Sequence, residues 1–97
     1  MRSDLEWDEL KDRANRAKHG IGFEEAVSVF DGPVLSAVDD REDYGEDRWV
    51  TVGLLEAVVV IVVVHTDRDG KTRLISARKA NRKERRTYYE HLERTVA

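Results

Sequence analysis

Apolar residues follow a helical period in the first third of the chain and a strand-like pattern afterwards. Trp7, Leu10, Ala14, Ala17 and Ile21 recur at alternating steps of three and four. That spacing predicts a helix capped by Asp8 and ended by Gly20, with the stripe turned to the core. Phe23, Ala26, Val27 and Phe30 repeat the period over a shorter helix, with Glu24 and Glu25 in its first turn and Asp31-Gly32-Pro33 as its stop. Residues 34–38 then read as a strand, and 48–54 as a second that reaches a tight connection at Leu55-Glu56. Residues 57–64, Ala-Val-Val-Val-Ile-Val-Val-Val, lack alternation and are dominated by β-branched side chains, which predicts a central strand buried on both faces. Asp67-Arg68-Asp69-Gly70 predicts a turn into a last strand that ends near Lys79, so these two strands form a hairpin. Asn81 and Glu84 have capping-box spacing, and a helix opening near Arg82 carries Tyr88, Leu92, Tyr89 and Val96 on an apolar side opposite Arg82 and Arg86. The expected order is α-α-β-β-β-β-α, an α+β domain over residues 1–97 with helices laid on a mainly antiparallel sheet.

Composition narrows the classes of function. Ninety-seven residues, 40% of them hydrophobic, support one small core. With no cysteine there is no disulfide, thiolate nucleophile or Cys-based zinc site. The first residues lack the apolar centre of a signal peptide, and the 57–64 run is too short to span a bilayer, so the expected location is cytoplasmic, without membrane attachment.

The net charge of −3 hides an asymmetry. Residues 1–64 hold 7 Lys/Arg against 15 Asp/Glu, a net −8, whereas residues 65–97 hold 10 against 5, a net +5. Six of the thirteen residues from Leu74 to Arg86 are fixed cations: Arg78, Lys79, Arg82, Lys83, Arg85 and Arg86. They fall at a strand-to-helix junction, and an anionic polymer is the ligand such a junction suits. Simple alternation puts Arg78 with Leu74 and Ser76, and Lys79 with Arg73, Ile75 and Ala77. Neither group is purely apolar, so alternation leaves the open face undecided.

Other chemistry finds little support. Residues 39–47 hold six carboxylates, but Arg41 stands where an EF-hand needs an oxygen ligand and Gly45 falls one place late, which favours a solvated, mobile hairpin loop and no metal site. His19, His65 and His91 lack metal-ligand spacing, and there is no nucleophile elbow or P-loop. Cleavage of RNA by its own 2′-hydroxyl needs negative charge stabilised at phosphorus, which arginine and lysine supply, and proton transfer, which a desolvated lysine or a histidine supplies. Lys18 and His19 also fit a plain cationic helix end, and His65 fits a structural role. A non-catalytic alternative uses the same cations: a binding subunit whose Arg82, Lys83, Arg85 and Arg86 contact phosphates in a DNA-bound repressor complex.

Taken in order along the chain, Glu6-Trp7-Asp8, Asn15, Lys18-His19-Gly20, Phe23-Glu24-Glu25-Ala26, Val29-Phe30, Arg48, Gly53, Ile75-Ser76-Ala77-Arg78-Lys79-Ala80, Glu84-Arg85 and Tyr88 resemble the BrnT family of type II toxins. The resemblance implies a RelE-like fold and a metal-independent endoribonuclease that needs no cofactor and inhibits translation. It also implies neutralisation by a BrnA-like ribbon-helix-helix antitoxin in a 2:2 complex that contacts operator DNA through the antitoxin. Carried over by position, the expected catalytic set is Arg78, Lys79, Arg73 and His19, and Lys18, Arg48 and Arg85 are expected to bind RNA, joined by Arg82 and Arg86 as further cations of the junction. Ser76 and Glu84 match as well. Two positions depart: Gly22 stands where a Ser-like helix cap is usual, and His65 where tyrosine is common.

Overall fold

A computed structural model describes residues 4–39 and 45–96. Its elements are β1 (Leu5–Trp7), α1 (Glu9–His19), α2 (Phe23–Ala26) running into a 3-10 turn (Val27–Asp31), β2 (Leu35–Asp39), β3 (Arg48–Leu55), β4 (Val59–Arg68), β5 (Lys71–Lys79) and α3 (Arg82–Val96). The class is α+β, as expected, but the sheet has five strands, in the order β1-β5-β4-β3-β2. The unforeseen strand is β1, which pairs parallel with β5, while the other neighbours are antiparallel. Trp7 therefore belongs to a strand, and its ring meets Phe23 edge-on at 6.2 Å. The acidic stretch 39–47 falls mostly on residues 40–44, outside the described residues. On its far side Thr66 donates to the Asp47 carbonyl at 2.6 Å and Arg68 pairs with Glu46 at 3.1 Å.

The ends of α1 are those the sequence predicts. Asp8 accepts from the Leu10 and Lys11 amides at 2.8 and 3.3 Å, and Gly20 closes the helix at φ 73°. Its buried side is the opposite of the expected one. Leu10 is 73% exposed and Ala14 and Ala17 are exposed, whereas Asp12 and Asn15 are buried. Two residues along a helix are roughly 200° apart, so seating Asp12 inward turns Leu10 and Ala14 out. Hydrogen bonds select this orientation. Asp12 accepts from the Phe23 amide at 2.8 Å, which supplies at the start of α2 the cap that Gly22 cannot. Asn15 donates to the carbonyls of Ile21 and Ala77, both at 2.8 Å, and accepts from the Ala77 amide at 3.0 Å.

Two cores flank the sheet. On the first face Ile61, Val63, Leu74 and Ala77 pack under Ile21, Phe23, Ala26 and Val29. Gly53 permits the close approach of the 3-10 turn, since a Cβ there would lie 2.9 Å from the Val29 Cβ. On the second face Val60 and Val62, with Val50, Val52, Leu54 and Leu35, meet Tyr88 and Leu92 of α3. Tyr88 is fully buried and donates its hydroxyl to the Pro33 carbonyl at 2.7 Å, whereas Tyr89 is half exposed. Burial raises the Tyr88 pKa, with Tyr89 a smaller contributor.

The central strand is buried on both faces from Val60 to Val63, but the apolar run overshoots it. Val58 is 74% exposed because residues 56–58 form the β3–β4 turn. Glu56 and Ala57 there have φ of 50° and 63°, a region that costs L-residues roughly 1–2 kcal/mol. Ala57→Gly is expected to stabilise the protein by about 1 kcal/mol, raising Tm by roughly 4–8 °C in a thermal melt. An unchanged or lower Tm would count against strain at this turn. The second hairpin turn meets no such difficulty, since Asp69 and Gly70, at φ 53° and 78°, suit a primed turn.

Candidate nucleic-acid interface

Strand register sets out the second sheet face in rows. One row crosses all five strands: Glu6, Arg73, Thr66, Arg48 and Asp39 are successive partners. The next rows pair Ser76 with Val64 and Val50, and Arg78 with Val62 and Val52. α3 packs over the apolar members of these rows on β3 and β4, so the polar strip along β5 lies beside it. Arg48, Arg73, Ser76 and Arg78 are all partly exposed on that side.

Simple alternation separates Arg73 from Arg78, yet they share this face. The β4–β5 register changes at one point: Leu74 is opposite His65 and Ser76 is opposite Val64, which leaves Ile75 as an extra residue. A bulge of this kind reverses the in-out sequence of everything beyond it. Leu74 and Ala77 thus both point into the first core, while Arg73, Ser76 and Arg78 line the second face. Strand spacing puts Arg73 roughly 10 Å from Arg48 across the sheet and roughly 15 Å from Arg78 along β5, so the three cations spread over one face.

Each β5 arginine is held by a carboxylate. Arg73 donates to Glu6 at 2.9 Å, with Lys71 4.0 Å from the same group. Arg78 makes a two-point contact with Glu84, both distances 2.8 Å, and donates to the Lys79 carbonyl at 3.3 Å. Glu84 also completes the expected capping box: it accepts from the Asn81 amide at 2.8 Å and Asn81 accepts from the Glu84 amide at 2.8 Å. One carboxylate therefore joins the helix start to the strand arginine and fixes the guanidinium plane. The Arg78 hydrogen bond, more than the Asn81 amide, lowers the Glu84 pKa to about 2, against the raising effect of burial. A lowered carboxylate pKa contributes stability that is present above the ordinary value of 4.5 and lost as pH falls toward about 2. The stability gap between wild type and Glu84→Gln, read by denaturant melts, should shrink over that window. A gap independent of pH would contradict the pairing.

The remaining predicted residues are spread around this strip. Lys79 is exposed but partners Ile61, so it belongs to the first face, away from Arg78. Arg82, Arg85 and Arg86 lie exposed on the first turns of α3, and Arg85 reaches back to the Ala80 carbonyl at 2.9 Å. Lys18 and His19, at the end of α1, line one groove at the β5 edge with Ile75 and Ser76. His65 stands apart. It is buried on the first face, 2.7 Å from the Thr51 hydroxyl and edge-on to Phe30 at 5.3 Å, which makes it part of the core. Beside the Arg48 end of the row, Glu46 is held below the usual carboxylate range chiefly by its hydrogen bond from Arg68, with Arg48 a smaller contributor.

A groove of about 320 Å³ at Asp12, Arg16, Glu24, Glu25 and Glu56 is rimmed by carboxylates and repels a phosphate backbone. Among the described residues no group of three or more His, Asp or Glu could hold a metal ion. No helix among them is long and apolar enough to cross a membrane.

The family profile for the BrnT ribonuclease toxin of type II toxin-antitoxin systems matches residues 7–84. The chain belongs to the BrnT family. The match takes in Lys18, His19, Arg48, Arg73, Arg78, Lys79 and Arg82, and stops short of Glu6, Arg85 and Arg86. The crystal structure of the BrnT ribonuclease toxin of Brucella abortus is similar, with 26% identity over 80% of this chain and 99% of that one and a TM-score of 0.62. A search of curated proteins finds no significant match. The family makes the chain a ribonuclease toxin with an antitoxin partner and RNA as its substrate. Three residues in or beside the candidate face have structural roles that the sequence reading does not assign. Glu6 enters the sequence reading only as a family match, because β1 is hidden in a helical spacing and its pairing with Arg73 leaves no local trace. Thr66 lies beyond the apolar run that marked β4. Asn15, buried at the β5 edge, likewise enters only as a family match, with no role attached.

Proposed function

We propose that this BrnT-family chain is a metal-independent endoribonuclease that cuts RNA through its 2′-hydroxyl. The observation that carries this reading is the pair Arg73 and Arg78, turned to one open sheet face and each oriented by its own carboxylate. Fixed guanidinium groups stabilise charge that develops at phosphorus without reorganising during the reaction. Arg48 extends the phosphate path along the same face, and Arg82, Arg85, Arg86 and Lys18 hold the flanking strand. His19, which lines the β5-edge groove together with Ser76, takes the 2′-hydroxyl proton in preference to Lys79, which belongs to the other face. The 2′-oxygen then bonds to phosphorus, the bond to the 5′-oxygen breaks, and that oxygen takes up a proton. The products are a 2′,3′-cyclic phosphate and a 5′-hydroxyl.

In the cell this activity arrests translation in the cytoplasm. A BrnA-like ribbon-helix-helix antitoxin neutralises it by covering the cationic junction in a 2:2 complex that also binds operator DNA. An acidic antitoxin segment over Arg82 and Arg86 would satisfy those charges and exclude RNA together. Induced expression of the wild type should stop growth and translation, with rescue by the co-expressed antitoxin. Charge reversal at Arg82 and Arg86 should slow antitoxin association and flatten its salt dependence. The binding-subunit reading predicts the reverse pattern: Arg82→Ala and Arg86→Ala weaken operator gel shifts while every variant leaves RNA intact.

A further inference from the structure

β1 ends opposite Leu74, so from Ile75 onward β5 has no outer strand among the described residues. Such an edge ordinarily invites another chain to pair with it. Here Asn15 occupies the amide and carbonyl of Ala77 together, in the place a sixth strand would take. What lies beside this edge is a side-chain groove of about 310 Å³. Its lining combines the apolar Ala14 and Ile75, the cations Lys11 and Lys18, and the polar Asn15, His19 and Ser76. Ser76 belongs also to the face that bears Arg73 and Arg78, so the groove continues the arginine strip around the sheet edge.

We propose that this groove is a nucleotide subsite, holding one base of the RNA strand next to the phosphate bound by the arginines. A base offers a flat apolar surface with polar edges and is flanked by phosphates, which suits a lining of two apolar residues, two lysines and the polar Asn15, His19 and Ser76. The bulge serves both parts of the site. It turns Arg78 and Ser76 to the open face and leaves Ile75 at the edge to carry the base. A groove at this position would also give the enzyme a preference among the bases beside the cut.

The subsite rests on the ribonuclease reading for its place in the reaction, but base binding can be measured without turnover. Each nucleoside 5′-monophosphate, with inorganic phosphate as control, would be titrated into ¹⁵N-labelled protein. At least one nucleotide should shift the amides of Ala14, Ile75 and Ser76. Arg78→Ala should keep those shifts, and Ala14→Trp, which fills the groove from an exposed helix position, should lose them with its circular dichroism unchanged. On RNA, Ala14→Trp should raise KM by about tenfold with little change in kcat and should alter which sites are cut. Nucleotide shifts in a protein that cuts no RNA would uphold the subsite and overturn only the ribonuclease reading. Shifts given equally by phosphate alone would overturn the subsite. So would an Ala14→Trp variant that cuts RNA normally and loses only the antitoxin, because the groove would then belong to a protein partner.

Discussion

Arg78→Ala is expected to lower RNA cleavage by roughly 10²- to 10³-fold, the scale on which fixed donors to a developing anion contribute. The loss should fall on kcat, because the guanidinium acts on charge that grows in the transition state. The fold should survive, since Glu84 keeps its capping contacts with Asn81. Arg78→Lys should recover little, because an ammonium cannot reproduce the two-point contact with Glu84. Arg73→Ala should act in the same direction on the other side of the bulge. Single-turnover cleavage checks each variant, and near wild-type rates for Arg78→Ala would remove this arginine from the chemistry.

Asn15→Leu is expected to have the largest effect on stability. The amide serves three backbone groups, the Ile21 carbonyl and both polar groups of Ala77, and it is buried. A buried backbone group left without a partner costs roughly 1–3 kcal/mol. Losing all three contacts should therefore remove about 3–5 kcal/mol, a large share of the 5–15 kcal/mol that a small domain commonly has. It also reopens the β5 edge, so the variant should aggregate before it unfolds cleanly. Asn15→Asp keeps an acceptor for the Ala77 amide but sets a carboxylate against two carbonyl oxygens, and should recover only a small part. Denaturant titration measures both, and a loss under 1 kcal/mol for Asn15→Leu would contradict the clamp.

The fold was most legible where pattern and local chemistry agree. The Asp8 and Gly20 ends of α1, the Asn81–Glu84 capping box and the doubly buried centre of β4 all stand where the sequence puts them. Errors came where a long-range hydrogen bond outweighs a local pattern. On α1, Leu10, Ala14 and Ala17 mimic a core stripe, but partners for Asp12 and Asn15 lie 11 and 62 residues away, and periodicity cannot register them. β1 was hidden for a related reason, since three residues pairing in parallel with a strand 67 positions on leave no local trace.

The site shows the same division. The basic stretch after Leu74 does fall at a strand-to-helix junction, while the side chains' directions depend on one inserted residue. Ile75 has no composition that announces a bulge, and without it Arg73 and Arg78 would point to opposite sides of β5. Lys79, adjacent in sequence to Arg78, is separated from it in space by the alternation that the bulge leaves intact. His19, far from β5 in sequence, comes to line a groove at its edge with Ser76.

The most direct test of the account is end-group analysis of a defined RNA treated with purified protein in excess EDTA. Cuts bearing 2′,3′-cyclic phosphate and 5′-hydroxyl ends, present for wild type and absent for Arg78→Ala, are the predicted result. Intact RNA from a folded wild-type protein, or cleavage that leaves 5′-phosphate ends, would contradict it.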